Sequence, residues 1–223
     1  SPFNVNVTTD RTIFNNAVPT RRQMIVFTPT HPAGIPATAE GVALNGSWGS
    51  GNPCWSFDNT IKGASEAATH ECGHTLGLSH DGTSSSGYYM GHGSWGPIMG
   101  AVYYYPIVQW SKGEYANANN TQQDDVTIIS SKIPYRQDDH GNTTATATQL
   151  IADATGTVKK TDNFGIIEKR TDKDIFKFST TGGNVSFSFS PAANSGGTPP
   201  SVPNLDIQAR LLDAGGTELV KSD

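Results

Sequence analysis

Residues 70–80 read His70-Glu71-Cys72-Gly73-His74-Thr75-Leu76-Gly77-Leu78-Ser79-His80, and the spacing of the three histidines governs how the rest of the chain is read. On a helix, His70 and His74 fall on one face about one turn apart. Two neutral imidazoles so placed reach a single Zn²⁺ at ~2.0–2.1 Å. Glu71 flanks the first ligand without having to bind, where a base must stand to take a proton from a water on the metal. Gly77 is expected to end the helix with a positive φ, and the turn brings His80 back as the third ligand. Three protein ligands leave a position for water, the pattern of catalytic rather than structural zinc sites. Five fixed positions recur by chance in a chain of this length with a frequency of roughly 10⁻⁴. Cys72 lies about 200° around the helix from His70 and so points away from the metal.

Upstream of this segment the sequence predicts strands and turns. Phe3, Val5 and Val7 alternate with polar residues, and Arg11 to Asn16 is helix-like after Thr9-Asp10. The apolar run Met24-Ile25-Val26-Phe27 reads as a central strand buried on both faces. Val42 to Trp48 reads as an edge strand and Trp55-Ser56-Phe57 as its return. The active-site helix is expected from Ser65 to Leu76, behind a Ser cap. Asp81 to Pro97 is a long Gly/Ser/Tyr-rich loop. A second helix is expected from Thr121 to Lys132, with Thr121 and Asp124 as a capping box and Val126, Ile129 and Ile133 on one face.

Arg136 to Asn142 reads as a polar connector, which divides the chain into residues 1–136 and 137–223. Beyond it the pattern is β: Ile175–Phe178, then Val185, Phe187 and Phe189, then Ile207, Ala209 and Leu211. Gly182-Gly183 and Gly215-Gly216 separate the runs, as in a small sandwich.

A low charged fraction of 16 % with 24 Gly and 13 Pro indicates a turn-rich, β-rich globular chain. A net charge of −5 without a basic stripe argues against a nucleic-acid partner. No apolar run approaches the ~20 residues of a membrane span. Starting at Ser1 and stopping soon after a strand-like Glu218 to Val220, the sequence reads as a piece of a longer precursor, incomplete at either end. Cys54 and Cys72 are the only cysteines; in an exported protein they would form a disulfide tying the strand region to the active-site helix, and otherwise they are separate core thiols.

The eleven residues from His70 to His80 match every fixed position of H-E-x-x-H-x-x-G-x-x-H, and in this the chain resembles the metzincin metallopeptidases. Pro97-Ile98-Met99-Gly100 resembles the methionine turn that lies beneath the zinc in that family; Met90 is a rival without the turn context. Asp81 resembles the residue after the third histidine in the reprolysin-like and snapalysin-like branches. The resemblance implies an α+β catalytic domain: a twisted mixed sheet, an active-site helix and a C-terminal helix. It also implies a secreted Zn²⁺ endopeptidase, with His70, His74 and His80 as ligands, Glu71 as general base, and Gly77, Asp81 and Met99 supporting the site. An extended protein or peptide substrate would add to an edge strand, here Gly41 to Trp48. Some branches place a metal-proximal tyrosine two residues after the methionine; this chain has Ala101 there, with Tyr103 further on. The stretches Asp172–Phe178, Asn204–Asp206 and Leu211–Gly216 resemble the small β-sandwich that follows the catalytic domain in secreted bacterial peptidases. A monomer is expected. The alternative is a zinc-containing adhesion module without activity.

Other residues carry weaker signals. The acidic pairs Asp124-Asp125 and Asp138-Asp139 suit Ca²⁺, or equally a helix start and a solvated linker. His92 lies in a loop near the site and would touch substrate or solvent; His31 and His140 carry no assigned role.

Overall fold

The computed structural model describes residues 1–43, 46–101, 105–192 and 203–222. Among them the architecture is mixed α/β, with few helices, small sheets and no closed barrel. Two compact units emerge: Val7–Lys132 with Ala192–Leu205, and Ser1–Asn6 with Ile133–Pro191 and Asp206–Asp223. The expected break after Arg136 thus falls a few residues earlier, and Ser1–Asn6 belongs with the later block. Backbone hydrogen bonds explain this: Asn4 N–H donates to the Pro134 carbonyl, Arg136 N–H donates to that of Pro2, and Phe3 bridges Tyr135.

In the first of these units, α1 (Arg11–Asn16) is capped by Asp10, whose carboxylate accepts from the Thr12 and Ile13 amides. The main sheet joins β1 (Ile25–Phe27), β2 (Gly41–Ala43) and β3 (Cys54–Ser56) in the order β1-β3-β2. β1 is parallel and β2 antiparallel to β3. The apolar run was expected to be central, but β1 is an edge strand and Phe27 is 58 % exposed. The centre belongs to β3, whose small Cys54 and Ser56 are fully buried. Small side chains let the long helix α2 (Ile61–Leu76) approach; Ser56 Oγ donates to the Ala64 carbonyl at 3.2 Å, and Ala67 and Ala68 are buried. β4 (Trp95–Pro97) and β5 (Ile107–Gln109) form a separate parallel pair. α3 (Asp125–Ser130) is shorter than expected and is capped by Asp124, which accepts from the Thr127 amide, so the Thr121 capping box does not form. Ile129 and Ile133 are buried, and Val126 is half-buried.

The other unit contains the parallel pair β6 (Thr148–Gln149) and β7 (Phe176–Lys177). It also contains the antiparallel pair β8 (Ala209–Leu212) and β9 (Glu218–Ser222). The turn between the last two is closed by Asp213, whose carboxylate accepts from the Gly215 and Thr217 amides. Val185, Phe187 and Phe189 alternate as a strand would, yet they join no ladder among the described residues. They remain partly exposed, with Phe187 set edge-on against Phe178 at 5.0 Å. Period-2 alternation fixes which side chains share a face, but not that a partner strand lies beside them.

Candidate metal centre

α2 begins at Ile61, four residues before the expected start. Thr60 is extended and its hydroxyl accepts from the Gly63 amide, while Asp58 accepts from Thr60 in turn. This outer cap supersedes Ser65, whose hydroxyl donates back to Lys62 O. The helix ends at Gly77, at φ 99° and ψ 16°. Gly77 N–H donates to His74 O and Leu78 N–H to Gly73 O, the paired bonds of a Schellman ending, which require a left-handed residue.

That ending returns the chain over the helix face. His70, His74 and His80 each bring one ring nitrogen into a cluster whose ligand atoms all lie within 4.8 Å of one another. The Nε2 atoms of His74 and His80 are 2.9 Å apart. Around a tetrahedral ion with ~2.0–2.1 Å bonds the separation is about 3.3 Å, so the pair is already near ligating distance. His70 Nδ1 donates to Ile98 O at 2.7 Å, and His74 Nδ1 to Leu78 O at 2.8 Å. Each bond leaves Nε2 with a free lone pair, the tautomer that ligation needs. Burial lowers the His70 pKa to about 4 and also lowers that of His80, which keeps both rings neutral. These three residues could hold a metal ion.

The backbone on either side of His80 is clamped. Gln123 Oε1 accepts from the Ser79 amide at 2.9 Å and its Nε2 donates to Ser79 O at 3.3 Å. Asp81 is buried; its amide donates to Met99 O and its carbonyl accepts from Tyr89. Its carboxylate accepts from Asn120 at 3.3 Å. Burial, then the charge of Asp125, pushes the Asp81 pKa up to about 7. Asp125 is likewise raised by burial, to about 6, and accepts from the Ser111 amide.

Met99 is wholly buried, in a turn closed by Gly100 N–H donating to Pro97 O. A Cβ placed on Gly73 would come within 2.5 Å of its sulfur, so the thioether rests on the helix between the first two histidines. Met90 is 50 % exposed. Glu71 is buried and accepts a backbone hydrogen bond from Ala43 on β2; burial raises its pKa to about 7. Gly41 makes room for it, since a Cβ there would meet Glu71 Cγ at 2.8 Å.

Cys54 and Cys72 meet as expected between β3 and α2, but no disulfide joins them. Both are free thiols in a pair 4.2 Å apart, whereas a disulfide needs about 2.05 Å. Asp124 and Asp125 are absorbed by the α3 cap and the Ser111 contact, and neither joins a metal-type cluster among the described residues. His92 bonds Tyr89 and His31 bonds Ala39, and neither joins the cluster. Tyr103 lies outside the described residues.

Several members of the site carry no sequence signature. The carbonyls of Ile98 and Leu78 are backbone groups. Gln123 and Asn120 sit in an unremarkable polar run. Tyr88 lies in the Gly/Ser/Tyr loop, yet its ring is 4.2 Å from that of His80 and forms a partly exposed wall beside the cluster. No protein-family model matches the chain, and neither does any curated protein or solved structure.

Proposed function

We propose that the chain is a zinc-dependent endopeptidase of metzincin type, exported from the cell, with the unit that holds α2 as its catalytic part. The observation carrying this reading is the gathering of three imidazoles beside the buried carboxyl group of Glu71, which is not one of the three. His70, His74 and His80 would hold the ion. When bound, Zn²⁺ supplies a water with pKa near ~7 and polarises a carbonyl. Glu71 takes the proton from the attacking water and passes it to the leaving amine; a carboxylate whose pKa is raised toward neutrality suits both halves of that transfer. β2 offers an edge to an extended peptide, and Tyr88 walls the cleft beside His80. Met99 supports the helix from below, and Asp81 fixes the direction of the third ligand.

The test is hydrolysis of casein and of a peptide library by zinc-loaded protein, with and without chelator, alongside Glu71→Ala. Chelation should abolish cleavage and zinc should restore it. Glu71→Ala should retain one zinc per chain and lose at least ~10²-fold in rate. Full turnover in the metal-loaded variant would refute the role of the base. Stoichiometric zinc with no cleavage of any peptide would instead favour a binding module.

A further inference from the structure

The polar connector of the sequence supplies part of an acidic cluster. Asp138, Glu168 and Asp172 each place a carboxylate oxygen within 4.8 Å of the others, and Asp138 also groups in this way with Asp139 and Asp174. All five belong to the unit that contains β6 and β7. Local hydrogen bonds build the cluster from two segments. In the first, Asp138 accepts from the His140 amide and from Asn142 Nδ2. In the second, Asp172 accepts from the amides of Glu168 and Lys173. The Lys173 amide also donates to Asn142 Oδ1, which joins the two segments. Gly165 lets the second segment close in, since a Cβ there would meet Asp174 Oδ2 at 2.0 Å.

Glu168 turns this cluster from a crowd of surface acids into a site. It is only 4 % exposed, and neither carboxylate oxygen has a hydrogen-bond partner among the described residues. A buried, unpaired carboxylate is among the costliest groups a fold can contain, and it persists where a cation completes it. The nearby imidazole of His140 bonds the Phe164 carbonyl through Nε2 and the Thr148 hydroxyl through Nδ1. Its Nε2 stands 4.0 Å from Asp139 Oδ1. The nearby Lys169 ammonium lies over the Tyr135 ring at 5.4 Å.

We propose that Asp138, Glu168 and Asp172, with Asp139 and Asp174 at their side, bind one Ca²⁺ ion. The donors are all oxygen and all anionic, the set preferred by a hard cation and poor for zinc. Bound there, the ion ties the 138–142 turn to the 165–174 segment. It acts on the stability of this unit and has no part in the chemistry of the histidine cluster.

The experiment uses the full chain, stripped by chelator, reloaded with one equivalent of zinc and titrated with CaCl₂ by calorimetry and thermal melting. Wild-type protein should bind Ca²⁺ with Kd at or below ~10⁻³ M and gain several degrees in Tm at saturation. MgCl₂ at the same concentration should do much less. Glu168→Gln keeps the shape and removes the orphan charge. It should melt higher than wild type without calcium, and its calcium response should fall at least ~10-fold in affinity. Asp138→Asn should lose the response as well. No calcium binding by wild type at ~10 mM, a concentration well above that range, or an undiminished response in both variants, overturns the proposal. Protease activity is not a readout, so failure here is separable from failure of the zinc assignment.

Discussion

The sulfur of Met99 occupies the space a side chain at Gly73 would need, 2.5 Å from where its Cβ would stand. Gly73→Ala should therefore have opposite signs in two backgrounds. Alanine gains about 1 kcal/mol of helix propensity over glycine, but overpacking costs typically about 1–3 kcal/mol. In the native background the clash should win and the variant should be less stable. After Met99→Ala, which alone should cost about 2–5 kcal/mol, the same change should stabilise. Urea unfolding of the four proteins measures this, and an equal effect in both backgrounds would show that the contact is unimportant.

Gln123 bonds both backbone groups of Ser79, the residue before His80. Gln123→Ala should weaken zinc affinity about 10–100-fold with the ligands intact. His80→Ala should do more, since it removes a ligand outright. Competition against a chromogenic chelator separates the two. Native affinity in Gln123→Ala would mean that the loop holds itself without the clamp.

Replacing Gly77 should strain the helix ending. Its φ of 99° lies where a Cβ costs about 1–2 kcal/mol. Gly77→Ala should lower Tm and weaken zinc binding together, because the same turn delivers His80. Gly77→Asn should be milder, as asparagine tolerates that region better. A drop in Tm with unaltered zinc affinity would uncouple the turn from the site.

Asp81 gives a pH signature. Its folded-state pKa of about 7 lies above the ordinary 3.8, because burial and then Asp125 disfavour its charge. Between these values the folded chain holds a proton that the unfolded chain has released, so this contribution to stability falls as pH rises. His70, lowered to about 4 by burial, works in the opposite direction over its own range, so the comparison must be with a variant. Asp81→Asn can keep the bond from Asn120 and removes the titration. Stability of metal-free wild type minus that of the variant should fall between about pH 4 and 7, by at most about 1.4 kcal/mol per pH unit. A flat or rising difference would overturn the assignment.

How legible the site was depends on the kind of group. His70, His74 and Gly77 follow from helical periodicity and the chirality of the backbone, which act locally, and α1 was readable for the same reason. The boundary of α2 was misplaced because Ser65 and Thr60 are both competent caps, and Asp58, which accepts from Thr60, favours the outer one. β1 was taken for a central strand because an apolar run reports hydrophobicity, while position in a sheet depends on which strands lie alongside. The role of Gln123 depends on a contact across 44 positions of sequence, which no local pattern encodes. Glu168 was passed over for a similar reason: its burial arises from the meeting of two segments that each look like solvated turns. The cysteines show the limit of inference from composition, since proximity was expected correctly and bonding was not.

The hydrogen bond from Ala43 to Glu71 makes one amide serve two masters. It lowers the proton affinity of the carboxylate, against the larger opposing effect of burial. An extended chain that drew this amide away would leave Glu71 more basic at the moment a proton has to be accepted. Under the proposed function, arrival of a peptide at the β2 edge would in this way raise the proton affinity of Glu71, and protein without substrate would keep that affinity lower.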